Sequence, residues 1–437
     1  MDYPFGARFQ FHPVGQGLFA SGDIGQYQHG LWMGMGPNIK FDWVYDCGTT
    51  SEQALVEVAI GNLCADRSDQ ADLGLVVLSH FDKDHISGIV RLLQRKKVGI
   101  LLLPYVPLCD RILIGLHEGA EADEPLMRFL LNPVRYLRGA DVKGIGRVLF
   151  VPPSRGRAID GGEPDDRPDQ DATEDPPSRD SDAWDLDYEV EENPPPASGD
   201  DGDPALAPPD GAIASVAMLA EGQNLRLKNL WEFVPYNDAE HRAKATGAFT
   251  SQARQDADEL VNATTDVARE AALAKLKCLY DKTFGKSGQA RNEISLFLYG
   301  GPLAAGRFRT EGRLNGYLGY GIGMWKCFYD DPGKGAVLYC GDGYLDNDLR
   351  LKSLIDYLGP HRIERTCVFQ VMHHGALNNW HQGVAAAIGA PVNVFCSDPH
   401  HKKLGHPHAE VLRDFWPWGA IQVDKRCDAQ FHVWPLK

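Results

Sequence analysis

A largely apolar run, Leu73-Gly74-Leu75-Val76-Val77-Leu78-Ser79, leads straight into His80-Phe81-Asp82-Lys83-Asp84-His85. Apolar residues at helical spacing follow from Ser87 to Arg95. The first stretch reads as a buried strand and the last as a helix. The side chains of His80, Asp82, Asp84 and His85 therefore stand on a strand-to-helix turn at the carboxyl end of a strand. There a sheet can hold a rigid turn at the mouth of a cleft. Imidazole and carboxylate are ligands that divalent first-row metals prefer. The spacing can place His80 and Asp82 on one ion and Asp84 and His85 on a neighbour.

The chain has 437 residues and 43% hydrophobic content, enough for a sizeable core in a large layered domain with insertions. No run approaches the ~20 apolar residues of a membrane helix, and Met1 to Phe5 lacks the basic and apolar regions of a signal peptide. Nine cysteines are scattered singly, with no Cys-x-x-Cys pair. That is the usage of a reducing compartment, and a soluble, cytoplasmic protein with buried thiols is expected. The net charge of −16 is concentrated: residues 160–210 hold 19 acidic side chains against Arg167 and Arg179, a net of −17, which leaves about +1 for the rest. A near-neutral body permits contact with nucleic acid.

The acidic segment, Ser154 to Gly211, is rich in Pro, Asp, Glu, Gly and Ser and has no periodic apolar pattern. Such a stretch buries too little apolar surface to offset its ordering entropy and is expected to be disordered. It divides the chain into a front part, 1–153, and a back part, 212–437. Strands are expected at Arg8 to Phe11, Trp43 to Asp46, Leu73 to Ser79 and Val98 to Leu103, and then at Ile294 to Tyr299, Ala336 to Cys340, Val368 to Met372 and Val392 to Cys396. Residues 239–284 read as one or two helices, with alanine, leucine, lysine and glutamate dominant and no proline.

Several of these strands end in residues that can carry chemistry. Asp46-Cys47-Gly48 closes one, Gly341-Asp342-Gly343 another and His373-His374-Gly375 a third, while Gly405-His406-Pro407-His408 lies in a loop before a helix from Ala409 to Phe415. In this order the strings resemble the metallo-β-lactamase fold, and within it the soluble ComEC-like metallo-β-lactamase domain. The resemblance runs from about Phe11 to the C-terminus, skipping the acidic insert and the 239–284 helices. His12 to Gly17 is similar to the opening turn of that group, and Asp46-Cys47-Gly48 to its structural aspartate motif. The string from His80 to His85 is similar to the metal motif, with Asp82 where most members have a second histidine. Asn292 stands where a third-motif histidine is usual; Asp342 matches the bridging aspartate, His373-His374-Gly375 the last ligand motif, and His406-Pro407-His408 a loop distinctive of the subgroup. No membrane channel accompanies these motifs, so DNA transport does not carry over.

The resemblance implies an α/β fold, a metallo-β-lactamase αβ/βα four-layer sandwich with the acidic insert and the helical insertion added. It implies two divalent ions, Mn2+ or Zn2+, held by His80, Asp82, Asp84, His85, Asp342 and one of His373 and His374, with Asp342 as bridge. Only one of the pair is expected to reach, because adjacent side chains at a strand end point apart. Asp84, Asp342 and His406 are the expected catalytic residues, and Asp46 orients the first loop. Asn292, Lys402, His406 and His408 are expected to meet substrate, with Arg95-Lys96-Lys97 and His401-Lys402-Lys403 as phosphate contacts if they line the cleft. The implied activity is metal-dependent phosphodiester hydrolysis, with DNA as substrate. Hydrolysis of a small phosphoester, cyclic nucleotide or lactone is an alternative, and a non-catalytic scaffold for a protein partner is another. The insert is also a candidate inhibitory arm. A trypsin-like or caspase-like protease could remove it, with Arg155, Arg157, Arg167 and Arg179 as exposed sites for the former.

Overall fold

Alternation along the strands decides the layering. In the computed structural model, residues 5–26, 38–66, 72–117, 124–159, 184–191, 211–238, 247–284, 295–303, 306–315, 327–401 and 405–436 are described. Among them, ten strands form one mixed sheet: β1 (Phe5–Phe11), β2 (Phe19–Gln26), β3 (Asn38–Cys47), β4 (Leu73–Val77), β5 (Val98–Pro104), β6 (Ile145–Val151), β7 (Ile213–Met218), β11 (Arg307–Asn315), β12 (Cys327–Pro332) and β17 (Asp428–Leu436). Their spatial order is β12-β11-β17-β1-β2-β3-β4-β5-β6-β7, parallel from β3 to β7. Seven more form a second mixed sheet: β8 (Leu225–Leu227), β9 (Trp231–Asn237), β10 (Leu296–Pro302), β13 (Ala336–Tyr339), β14 (Thr366–Gln370), β15 (Val392–Cys396) and β16 (Ala420–Val423). Their order is β16-β15-β14-β13-β10-β9-β8.

One face of each sheet turns inward. Phe9, Trp43, Leu75 and Leu102 of the first sheet join Phe233, Leu298, Tyr339 and Val394 of the second in one buried cluster. Tyr45 stacks on Tyr339 across the gap at 4.7 Å between ring centroids. The next residues along each strand face outward. Val44, Val76 and Leu101 meet α1 (Gln53–Asp66), α3 (Ile89–Arg95), α5 (Pro125–Leu131) and α6 (Pro133–Gly139). On the other side Phe297, Leu338 and Phe369 meet α9 (Asp348–Leu358), α10 (Pro360–Arg365), α11 (Val384–Ile388) and α12 (Ala409–Phe415). The fold is α/β, with helices, sheet, sheet and helices in four layers. Strand alternation puts every second residue on each face, so both faces of both sheets need cover.

The expected helical insertion is a pair, α7 (Gly247–Asn262) and α8 (Asp266–Phe284). The break falls where the Thr265 hydroxyl accepts a hydrogen bond from the Ala268 N–H, a capping arrangement that starts the second helix. Ala253, Ala257, Ala272 and Leu276 of the pair pack on Ile112 of α4 (Leu108–His117), away from the sheet interior. Among the described residues no helix is long and apolar enough to cross a membrane.

Two expectations need correction. Strand β14 ends at Gln370, and Met372–Gly375 forms a short 3-10 turn instead of extending the strand. The acidic segment is not without order throughout. Trp184 is buried in the inter-sheet cluster with Leu186, Tyr188 and Val190 packed beside it, and Asp187 and Val190 make strand-like bridges to Arg226 and Leu219. These scattered apolar residues, one on every second position, behave as a short strand that closes the gap between edge strands β7 and β8. The start of the segment is also held: the Ala158 and Ile159 N–H groups donate to Tyr357 and Gly222, and Asn224 and Arg362 donate to the Ile159 carbonyl. Arg155 and Arg157 are exposed but lie within this held stretch, whereas Arg167 and Arg179 fall outside the described residues.

The insert does not separate two domains. Front and back halves share the first sheet through the β1–β17 and β6–β7 pairings. A single cut between residues 160 and 183 should therefore leave both products together in native gel filtration. Trp184→Ala should lower stability by about 3 kcal/mol in urea unfolding, the usual cost of emptying a buried aromatic site.

Candidate metal centre

The cluster forms where strands from both sheets end side by side. After β4 the chain continues to Leu78 and Ser79, and the Ser79 carbonyl accepts the Leu296 N–H at the start of β10. Residues 83–86 then make one helical turn, α2 (Lys83–Ile86), with Asp82 at its N-cap position. The turn is pressed against two loops by small residues. A Cβ at Gly48 would sit 2.5 Å from the His85 backbone, and one at Gly17 would sit 2.7 Å from the Asp84 carbonyl oxygen. Glycine is thus demanded by close approach at both loops.

Asp46, at the end of β3, is fully buried with a left-handed backbone, φ 55°. Its carboxylate accepts from the Ser79 N–H at 2.7 Å, the Ser79 hydroxyl at 2.6 Å and His85 Nδ1 at 2.7 Å. The Gly341–Asp342 turn after β13 is held by Gln370. Its Oε1 accepts from the Cys340 and Gly341 N–H groups at 2.8 and 2.7 Å, and its Nε2 donates to the Gly341 and Val371 carbonyls. His373 and His374 both adopt left-handed backbone, φ 43° and 57°. Such strain in consecutive non-glycine residues is found where the surroundings enforce it.

Asp342 is the centre of the group. Its Oδ1 lies 3.0 Å from His85 Nε2 and 3.7 Å from His374 Nε2. Its Oδ2 lies 3.4 Å from His373 Nε2 and 3.7 Å from His80 Nε2. Asp84 reaches His374 Nε2 at 3.1 Å, and Asp82 reaches His80 Nε2 at 3.6 Å. One ligand atom from each of Asp84, His85, Asp342 and His374 lies within 4.8 Å of the others, a group that can hold a metal ion. Of the pair His373 and His374, only His374 belongs to this group, while the left-handed turn also brings His373 Nε2 to 3.4 Å from Asp342 Oδ2.

Outer hydrogen bonds fix which ring nitrogen each histidine presents. His85 Nδ1 donates to Asp46 and His374 Nδ1 to the Cys396 carbonyl at 2.5 Å. Asn379 donates its amide to the Asp342 carbonyl, so its Oδ1 accepts from His373 Nδ1 at 2.8 Å. Ser79 commits its one proton to Asp46, so its oxygen accepts from His80 Nδ1 at 2.8 Å. All four rings thus aim Nε2 at the centre, the outer-partner pattern of metal-binding histidines. Inside, His80 Nε2, His85 Nε2 and Asp342 Oδ1 are buried with no hydrogen-bond partner among the described residues. The close approach of the last two is not aligned as a hydrogen bond. Buried polar atoms left this way lack compensation for lost water, and a divalent cation at the centre would supply it.

Charge follows the same layout. Burial works against it, yet Asp342, Asp46 and Asp84 hold His85 well above the ordinary histidine range. Asp342 and Asp84 likewise raise His374 against its burial. Although burial would raise it, Asp84 is drawn down to about 2 by His85 and His374. Asp342 is held well below the carboxylate range in the same way, by His373, His85 and His374. Burial and the neighbouring His85 push His80 down to about 3.

The loop from Gly405 to His408 borders this group. The His406 ring centroid lies 5.7 Å from that of His373 and 5.1 Å from that of His408, and the His408 N–H donates to Gly375. Asn292 and Lys402 lie outside the described residues. The Arg95-Lys96-Lys97 run does not line the cleft: Lys97 accepts the Leu73 N–H at the amino end of β4, the opposite end from His80, and Lys96 is buried. Sequence reasoning did not single out Ser79, Gln370, Asn379 and the Cys396 carbonyl. Ser79 stands beside the motif, but nothing in the local sequence marks Gln370 as a partner of Cys340 and Gly341 or Asn379 as a partner of Asp342.

In comparisons with known proteins, no family model matches this chain, and no curated protein does. Gln370→Leu, which keeps the size and removes all four side-chain hydrogen bonds, should leave the buried Cys340 and Gly341 N–H groups unpaired. A loss of about 2–4 kcal/mol in denaturant unfolding is expected, together with weaker metal uptake.

Proposed function

We propose that this chain is a metal-dependent phosphodiester hydrolase of the metallo-β-lactamase fold, acting on DNA. The observation that carries the reading is the division of ligands around Asp342: one carboxylate oxygen faces His85 and His374, the other His80 and His373. That layout fits two divalent ions sharing one carboxylate, with His80, Asp82, Asp84, His85, Asp342, His373 and His374 as ligands. When bound, such a pair supplies Lewis-acid activation of water and of a phosphoryl oxygen. The set mixes imidazole with carboxylate, which Mn2+ and Zn2+ both accept.

The chain's own residues then have distinct tasks. Asp46 and Ser79 fix the rings of His85 and His80. Burial, followed by His374 and His373, pushes His406 down to about 3, so it is neutral at pH 7. A neutral imidazole beside the cluster suits a hydrogen bond to a phosphoryl oxygen better than it suits protonation of a leaving group. The choice of DNA rests on the resemblance and on the near-neutral body.

Metal-loaded protein should nick supercoiled plasmid, and Asp342→Asn should abolish nicking without a change in circular dichroism. Turnover of a cyclic nucleotide, small phosphoester or lactone with intact plasmid would move the substrate to that class. Absence of metal uptake would leave only a scaffold role. Latency through the acidic insert belongs to the same proposal, with Arg167 and Arg179 as cutting sites. Nicking by intact and protease-cut protein at low salt tests it.

Metal affinity should rise with pH. Although burial works against it, the neighbouring carboxylates raise both His85 and His374, so an incoming ion competes with protons that these rings hold more tightly than ordinary histidines do. Calorimetry in buffers of different ionisation enthalpy should show proton release. Equal affinity at pH 6 and pH 8 would contradict it.

A further inference from the structure

The adjacent histidines His373 and His374 stand in unlike surroundings. His374 is 1% exposed and lies against Asp84 and the Oδ1 of Asp342, in the group whose four ligand atoms are all within 4.8 Å of one another. His373 is 34% exposed and lies 3.4 Å from the Oδ2 of Asp342. On that same oxygen stands His80, with Asp82, 24% exposed, 3.6 Å from it. Among the described residues this second group is not drawn as closely together as the first. The two rings are also held by different supports: His374 by the Cys396 carbonyl of β15, His373 by Asn379, which in turn holds the Asp342 and Gly343 carbonyls.

We propose that the paired histidines serve different ions. His374 completes an enclosed set with Asp84, His85 and Asp342, and His373 completes an open set with His80 and Asp82 on the other oxygen of Asp342. Two ligands of the open set, Asp82 and His373, are partly exposed and the set is less preassembled, so it empties at metal concentrations that keep the enclosed set loaded. Metal availability thereby regulates the centre through one of its two positions. Asn379 is a positioning residue for the open set, since it ties the His373 ring to the Asp342 turn. This inference rests on the two-ion reading.

The test is titration of metal-free, full-length protein with Mn2+, counting free ion by its EPR signal. Wild-type protein should take up two ions with unequal affinity. His373→Asn should keep the tighter ion and weaken the other by about tenfold or more, at least the loss seen on removing an outer partner. Asn379→Ala should weaken the same ion by about 10–100-fold, and His374→Asn should remove the tighter one. Melting of each metal-free variant checks folding; if His373→Asn does not fold, His373→Gln and Asn379→Ala carry the same comparison. Two ions in wild type with His373→Asn binding both unchanged, or losing the tighter, overturns the assignment and leaves the two-ion reading standing. Fewer than two ions in wild type overturns the reading and the assignment with it.

Discussion

The carboxylate of Asp46 is the point on which the cluster depends. It is fully buried, and three donors from the β4 end and the following turn converge on it: the Ser79 N–H, the Ser79 hydroxyl and His85 Nδ1. Burial raises Asp46 above the ordinary carboxylate range, against the opposing pull of His85 and Ser79. Removing any of these donors would leave the buried carboxylate with less compensation for its lost water, which is costly. Through Ser79 the same carboxylate sets the proton on His80, so one second-row residue fixes the inward nitrogen of two rings.

A corresponding device operates in the second sheet. Gln370 spans the turn after β13 and the end of β14, and Asn379 links that turn to His373. The first sheet thus delivers His80, Asp82, Asp84 and His85, and the second delivers Asp342, His373 and His374. The centre exists only where the sheets pack face to face, and the inter-sheet cluster of Phe9, Trp43, Tyr45, Phe233 and Tyr339 sets that separation. Stability of the core and geometry of the site are therefore one problem.

Backbone strain is concentrated at the same place. Left-handed φ values occur at Asp46, His373 and His374, none of them glycine, and Gly341 at φ 53° approaches Ser79 too closely for any side chain. Tight turns of this kind keep ligand atoms at contact distance from several elements, which straight strand ends could not do. The insert has a different place: Trp184 to Tyr188 pack at the amino ends of β3 to β5, away from the histidines, so the described part of the insert does not cover the cluster.

Local sequence carried the elements. Apolar runs placed β4, β5, β13 and β15 within a few residues, the 239–284 composition announced α7 and α8, and the motifs at Asp46, His80 to His85, Asp342 and His373-His374 each stood at or just after a strand end. What local sequence could not carry was direction and partnership. The inward turn of both His373 and His374 depends on left-handed backbone enforced by neighbours distant in the chain. The roles of Gln370 and Asn379 depend on loops brought beside them. The Arg95 to Lys97 run proved to lie at the wrong end of the strands, because sequence gives the order of elements but not which strand ends share a cleft. Likewise, the apolar residues of Trp184 to Val190 looked too sparse to fold. They order because the gap between β7 and β8 presents a surface already built by the rest of the chain. Residue type and spacing fix what a segment can do locally; contacts between segments far apart in sequence decide which of those options is taken.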